Sequence, residues 1–188
     1  MTETEQKNFQ SIAAVTWIAD QFPANSPRPS DEVLVNAAGL QEVGQIYLPV
    51  LGDQDDVGPL TVALGLSNNR VGVQVFINGA SEPSVFHVMG LAGLKRIFAL
   101  YSNACEQYVA AITGHMNPSM IETHDMARRG LHNEGAAFIQ DKLADKITID
   151  HETARKLFGL IHSMHAATCT RNRPLHSYER AGYEQPVR

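Results

Sequence analysis

The chain of 188 residues is poor in cysteine, in tryptophan and in long apolar runs. Its two cysteines, Cys105 and Cys169, lie far apart and outside any C-x-x-C pattern, which excludes a disulfide framework and a zinc site built from thiolates. No run approaches the roughly 18 apolar residues of a membrane-spanning helix, and the start "MTETEQKNFQ" lacks the features of a secretory signal. We therefore expect a cytoplasmic protein with two free thiols and no membrane association.

Positive charge is also scarce, because 15 lysines and arginines face 20 acidic residues and leave a formal net charge of −5. This balance argues against nucleic acid as a partner, since nonspecific binding to phosphate backbones relies on basic surfaces. The sequence also lacks a G-x-S-x-G elbow, a Walker loop and a G-x-G-x-x-G turn, so the common hydrolase and nucleotide fingerprints are excluded. What remains is a hydrophobic content of 44%, which is typical of a packed domain, and eight histidines.

The chain divides into three parts by composition. Apolar residues in segment 7–22 recur at roughly helical spacing, and three prolines follow between positions 23 and 29. This pattern predicts a helix and an extended linker over residues 1–29. We expect a single domain over residues 30–168 and a loose tail over residues 169–188.

Within that domain a short helix is expected first, at "SDEVLVNAAGLQEVG". Strand signals follow, because residues 59–90 show three alternating apolar runs separated by "SNN" and "NGASEP" turns. Helical spacing follows in "LAGLKRIFALYSNACEQYVAAI", in "NPSMIETHDMARR" with Asn117 as N-cap, in "NEGAAFIQDKL" with Asn133 as a fresh cap after a break at Gly130, and from Asp150 onwards. The order predicts an α+β fold, in which a small antiparallel β-meander (about 59–90) packs against about four C-terminal helices, plus the N-terminal helix.

The most unusual string is "ARRGLHNEG", residues 127–135. On a helix, Asp125, Arg128 and His132 share one stripe. One interpretation is an anion site, in which Arg128, Arg129 and His132 lie beside the free N–H groups of a helix that starts near Asn133. The other is a structural corner, in which Asp125 pairs with the arginines while Gly130 turns the chain. Spacing alone favours the structural corner.

Two histidine patterns and one cysteine suggest other chemistry. His162 and His165 in "HSMH" lie one helical turn apart, a spacing at which two imidazoles can bind one metal ion together with residues of a neighbouring helix. The adjacent His124 and Asp125 resemble the metal dyad of HD-type phosphohydrolases, although the β-meander does not suit that helical family. Cys105 lies on an apolar helical stripe, where a thiol is more often a small hydrophobic residue than a nucleophile.

The blocks "CEQYVAAI" and "PSMIETHDMARRGLHNEGAAFIQDKLADKITIDHETARKLF" resemble the bacterial uncharacterised protein family UPF0262. The resemblance is strong over about residues 94–166 and looser over 57–93. It brings no activity, but it implies that the helix corner at 125–135 is the centre of the family's function. The residues shared with the family pattern are Cys105, Glu106, Tyr108, Asp125, Arg128, Arg129, Gly130, His132, Asn133, Glu134, Gly135 and His165. The family pattern lacks histidine at His124 and His162, which counts against the dyad and the histidine pair.

We therefore predict a binding or regulatory module with an anion-binding helix corner at 125–135. Its ligand would be a small anionic molecule or an acidic protein surface, and a homodimer is an open possibility. The predicted ligand-binding residues are Arg128, Arg129, His132, Glu134, Asp125, Glu106 and His165. The alternative is a metal-dependent hydrolase, with a divalent ion held by His132, His165 and Asp125 or Glu134. The sequence does not decide whether the protein is an enzyme, although the lack of a catalytic signature favours a binding protein.

Overall fold

The structure is a computed structural model that describes residues 8–18, 29–52 and 57–171. It is an α+β fold, which confirms the predicted class. Its main elements in chain order are β1 (Gln10–Trp17), α1 (Asp31–Val43), β2 (Gln45–Tyr47), β3 (Leu60–Ser67), β4 (Arg70–Ile77), β5 (Val85–Gly90), α2 (Lys95–Thr113), α3 (Pro118–Leu143), β6 (Thr148–Ile149) and α4 (His151–Arg171). The strands form one mixed sheet in the order β5-β4-β3-β1-β2-β6. Its β1–β3 pair is parallel, and its other neighbouring pairs are antiparallel.

The predicted meander is confirmed as the three strands β3, β4 and β5. Between β3 and β4 the chain turns on Asn68 and Asn69, whose φ angles of 48° and 60° lie in the left-handed region that asparagine tolerates in two-residue hairpin loops. Val71, Val73 and Val75 alternate along β4 and are buried. The meander is half of the sheet, however, because β1, β2 and β6 extend it beyond β3.

The predicted N-terminal helix is wrong, because residues 10–17 form strand β1. A short apolar segment fits helical and strand spacing about equally well, and the β-branched residues Ile12, Val15 and Thr16 favour the strand. Pairing decides the outcome, since β1 lies between β3 and β2 and Ile12 enters the core. The separability of residues 1–29 stays a prediction, and the position of β1 inside the sheet argues against it.

Helices α1, α2 and α4 form where their apolar stripes predict them. Helix α1 contacts both β1 and α4, so it links the sheet to the helical layer. The helical spacing from Asp150 onwards places five apolar residues on one face of α4, and all five are buried, namely Ala154, Leu157, Phe158, Ile161 and Met164. In the described ranges, no helix combines the length and the apolarity needed to cross a bilayer.

The predicted break at Gly130 is also wrong, because α3 runs without interruption through 26 residues. It begins as expected, with the side chain of Asn117 accepting a hydrogen bond from the Met120 N–H at 2.9 Å. One glycine inside a helix costs about 1 kcal/mol, and the burial of Ala136, Ile139 and Leu143 in the turns that follow offsets that cost. Asn133 therefore does not cap a new helix, and the free N–H groups required for the predicted anion site are absent at this position.

Candidate functional site

Asp125 joins both arginines of the "RRGLH" string. Its Oδ1 atom accepts hydrogen bonds from Arg128 Nη2 at 2.6 Å and Arg128 Nε at 3.2 Å, and its Oδ2 atom lies 2.7 Å from Arg129 Nε. The hydrogen bonds from Arg128, with the charge of Arg129, hold the pKa of the Asp125 carboxyl below its usual value. We call these three residues the Asp125 clamp. The carboxylate and the two guanidinium groups therefore form ion pairs within one helix, as the interpretation of the string as structural expects.

Arg128 also contacts a tyrosine of α2. Its guanidinium lies over the ring of Tyr108, with the carbon atom 5.1 Å from the ring centroid, a distance typical of a cation–π contact. Arg129 has no comparable contact in the described structure, and 64% of its side chain is exposed. The two arginines of the clamp therefore have different surroundings.

His132, one helical turn beyond Arg128, faces α4. Its Nε2 atom lies 2.9 Å from the carbonyl oxygen of Arg155, and since a carbonyl only accepts, the ring proton is on Nε2. The Nδ1 atom then accepts from Arg155 Nη2 at 3.4 Å, while Arg155 Nη1 donates to the side-chain oxygen of Asn133 at 3.0 Å. Burial lowers the pKa of His132, and the charge of Arg155 contributes. The neutral His132 ring thus accepts a hydrogen bond from one edge of the Arg155 guanidinium.

These contacts lie at the wall of a cleft of about 620 Å³ between α1, α2, α3 and α4. We call it the basic cleft. Its described lining residues are Asn36, Tyr101, His132, His151, Glu152, Arg155, Lys156 and Gly159. Most of them come from the first turns of α4, where positions 151, 152, 155, 156 and 159 share one face of the helix. Its volume lies within the range of clefts that bind small molecules.

The cations of the basic cleft are not neutralised within the described part of the chain. Neither Arg155 nor Lys156 forms an ion pair there, whereas Arg128 and Arg129 both do. Glu152 is the one carboxylate among the described lining residues. Arg155 instead donates to an amide oxygen and an imidazole, and both of these partners are neutral. Its positive charge is therefore oriented, and no carboxylate of the described residues pairs with it.

A layer of aromatic rings and histidines supports the cleft from behind. The Tyr101 ring centroid lies 5.3 Å from that of His132, 5.2 Å from that of Phe158 and 5.0 Å from that of His162. His162 Nε2 forms a hydrogen bond of 2.8 Å with Ser102 Oγ. Burial, followed by the nearby histidines His165 and His132, lowers the pKa of His162 from 6.5 to about 4. This layer is therefore neutral near pH 7.

The other predicted ligand-binding residues do not join His132. Glu106 and Glu134 are exposed. His165 lines a separate cleft of about 340 Å³ with Ser67, Thr168 and Cys169, and the Cys169 sulfur lies 3.7 Å from its Nε2 atom. Residues 8–18, 29–52 and 57–171 contain no group of three or more metal-ligating side chains arranged to hold an ion, so the alternative metal site is not formed there.

Sequence reasoning missed most of the basic cleft. Tyr101 lies within the apolar segment that predicts α2, and Arg155 and Lys156 lie at the end of the block that resembles the family, where neither segment shows a site pattern. A usable signal was present, because the two basic residues follow buried Ala154 on an amphipathic helix and therefore mark the rim of its apolar face. The contact between His132 and Arg155 has no such signal, since the residues lie 23 positions apart on different helices.

Comparison with known proteins places most of the chain in a single family. The model described as "Uncharacterised protein family (UPF0262)" matches residues 10–167. A UPF0262 protein of Azorhizobium caulinodans is 43% identical over 119 residues, which are 63% of this chain and 72% of the relative. One from a Ruegeria species is 35% identical over 77% of this chain and 90% of its own length. One from Rhodopseudomonas palustris is 34% identical over 82% and 91%, respectively. No solved structure matches the chain.

Proposed function

Because the chain belongs to the uncharacterised protein family UPF0262, whose name assigns no activity, we propose a function from the geometry: the protein binds a small anionic molecule in the basic cleft. The observation that carries this proposal is the pair Arg155 and Lys156, which lines the cleft without an ion pair in the described structure. An uncompensated pair of cations in a concave site favours a ligand that supplies the negative charge.

The environment of Arg155 supports a binding role over a structural one. Arg155 is partly buried and its guanidinium is fixed by Asn133 and His132, so little side-chain entropy remains to be lost when a ligand binds. Both partners are neutral, because Asn133 contributes an amide oxygen and the Nδ1 atom of His132 accepts from Arg155 and so carries no proton. A fixed planar fork beside a flexible lysine suits a phosphate or carboxylate group.

The concave shape favours a small molecule over the acidic surface of a protein partner. Small ligands occupy clefts of about 300–1,000 Å³, and flat surfaces are more typical of protein interfaces. The cleft also holds Glu152 and the amide of Asn36, which would select a ligand that carries hydrogen-bonding groups beside its anion. The free thiols Cys105 and Cys169 are compatible with a reducing compartment such as the cytoplasm.

Thermal unfolding with added phosphate tests the proposal. We expect phosphate to raise the melting temperature of the native protein more than sodium chloride of equal ionic strength does. At a hundredfold excess over Kd the stabilisation would be about 2.7 kcal/mol, which corresponds to about 5–10 °C for a chain of this size. The rise should vanish in an Arg155→Ala/Lys156→Ala variant.

Arg129→Ala is the matched control, because it also removes a cation but one that is exposed and bonded to Asp125. It should keep the full phosphate effect. Equal shifts in the native protein and the Arg155→Ala/Lys156→Ala variant would refute the basic cleft as the site. Loss of the shift in Arg129→Ala alone would return the anion site to the 125–135 segment.

A further inference from the structure

Asn36 of α1 supplies the one side-chain amide among the described residues that line the basic cleft. It is partly buried, and its Nδ2 atom donates to Ser163 Oγ on α4 at 3.3 Å. Ser163 is 2% exposed, and its own hydroxyl proton is donated to the carbonyl oxygen of Leu160 at 2.9 Å. Because that single proton is used, Ser163 Oγ acts only as an acceptor towards Asn36. The amide nitrogen therefore points to Ser163, and the orientation of the amide oxygen is fixed.

The Oδ1 atom of Asn36 remains available to a ligand. It accepts no hydrogen bond from the described residues. Since no buried side-chain oxygen of the described ranges lacks a partner, this unpaired oxygen is accessible to solvent. It lies beside Gly159, which also lines the cleft, because a β-carbon at that position would come within 3.3 Å of it. The glycine thus leaves an oriented acceptor uncovered in the cleft.

The ammonium group of Lys156 lies close to that acceptor along α1. A β-carbon at Gly39 would come within 3.4 Å of Lys156 Nζ, so the ammonium group lies against α1 at that position. Residues 36 and 39 are three positions apart and share one face of the helix, where such neighbours are about 5–6 Å apart. A cation and a hydrogen-bond acceptor therefore lie side by side. A phosphate ester with a hydroxyl group on a neighbouring carbon can contact both.

We propose that Asn36 is the specificity-determining residue of the basic cleft and that its Oδ1 atom accepts a hydrogen bond from a hydroxyl group of the ligand. The inference rests on the proposed function, and it narrows the ligand to a small phosphate ester that carries a hydroxyl group close to its phosphate. Arg155 and Lys156 bind the phosphate, whose charge is about −2 near neutral pH. Ser163 is a positioning residue that keeps the amide of Asn36 in place.

The charge of the cleft favours a neutral hydroxyl over an ammonium group as the donor to Asn36. Arg155 and Lys156 outnumber Glu152, the one carboxylate among the described lining residues. A ligand that brings a third cation into this cleft is repelled by the first two. A hydroxyl group donates the same hydrogen bond without that repulsion.

Three phosphate esters measure the contribution of the hydroxyl group. Hydroxyethyl phosphate and ethyl phosphate differ only in that group, and aminoethyl phosphate carries an ammonium group in its place. In calorimetric titrations at constant ionic strength, we expect the native protein to bind hydroxyethyl phosphate about three- to tenfold more tightly than ethyl phosphate, the size of one hydrogen bond between neutral groups. Equal dissociation constants for these two esters, or tighter binding of aminoethyl phosphate, would overturn the inference and leave anion binding intact. Failure of all three esters to bind would refute the proposed function itself.

Variants of Asn36 and Ser163 locate the preference for the hydroxyl group. Asn36→Leu keeps a side chain of similar size without the acceptor, so the two esters should bind equally, with ethyl phosphate bound as in the native protein. Asn36→Asp keeps an acceptor, so the preference should remain although the added negative charge weakens the binding of both esters. Ser163→Ala removes the hydrogen bond that orients the amide, so the preference should decrease. An undiminished preference in Asn36→Leu or Ser163→Ala, with folding confirmed by urea unfolding, would overturn the proposal.

Discussion

The chain carries two adjacent pairs of basic residues, Arg128 with Arg129 on α3 and Arg155 with Lys156 on α4. The first pair lies in the more unusual string, but both of its members are bonded to Asp125. The second pair lies in an ordinary amphipathic helix, and neither member has an acidic partner in the described structure. Pairing with a neighbouring carboxylate therefore decides which cations are available to a ligand, and the density of charge in the sequence does not.

Acid should destabilise the layer of histidines behind the basic cleft more than it destabilises the Asp125 clamp. The folded pKa of His162 is about 4 against 6.5 for the free side chain, so the unfolded chain binds the proton first and stability falls as the pH drops from 6.5 to 4. Because a tenfold change in proton affinity is about 1.4 kcal/mol, this histidine alone accounts for about 3 kcal/mol. Burial lowers the pKa values of His132 and His165 and adds to the loss. The pKa of Asp125 is lowered instead, so the clamp keeps its contribution until the pH falls below about 4.

Urea unfolding of the native protein and of His162→Phe at pH 7.5, 5.5 and 4.5 measures this difference. The free energy of unfolding should fall less steeply with decreasing pH in the variant than in the native protein. For each protein the change is measured relative to its own value at pH 7.5. Parallel pH profiles for the two proteins would show that the pKa of His162 is not lowered in the folded protein and that burial does not exclude water from this layer.

Gly135→Ala should destabilise the packing of α3 against α4 beside the basic cleft. A β-carbon at this position would collide with the ring of Phe158, which supports Tyr101 and His132. Overpacking of this kind costs about 1–3 kcal/mol. We expect the free energy of unfolding to fall by that amount and phosphate binding to weaken, as measured by urea unfolding and calorimetry. Unchanged stability would mean that α3 and α4 are not packed as described.

Gly130→Ala, at the clamp, should have the smaller and opposite effect. A β-carbon at this position meets no atom within 4 Å, and the residue is helical. Alanine should therefore raise the free energy of unfolding by about 0.5–1 kcal/mol through helix propensity alone. A loss of stability in the same urea experiment would support the helix corner, in which this glycine adopts a left-handed conformation that alanine resists.

Local patterns predicted the elements that depend on near neighbours. The meander followed from alternation and asparagine turns, the start of α3 from Asn117 and Pro118, and the buried face of α4 from its spacing. Strand β1 did not follow, because its identity depends on pairing with β3, some 50 residues away in the chain. The continuity of α3 did not follow either, since the burial of the helical turns after Gly130 outweighs the signal of a single glycine.

Of the predicted ligand-binding residues, His132 lines the basic cleft, and whether it binds a ligand stays a prediction. The sequence did not show that Asp125 would pair with both arginines. The residues opposite His132 come from α1, α2 and α4, which approach it only in the folded chain. Asn36 and Ser163, for example, share a hydrogen bond across 127 positions. Such contacts leave no local pattern in one sequence.

One titration compares the two basic pairs directly. In a ¹⁵N-labelled sample, the side-chain Nε–H signals of Arg128, Arg129 and Arg155 can be followed together with the ring signals of His132 as phosphate is added at constant ionic strength. Ligand binding in the basic cleft predicts saturable shifts for Arg155 and His132 and none for Arg129. Saturable shifts of Arg129, with Arg155 and His132 unchanged, would place the anion at the clamp and refute binding in the basic cleft.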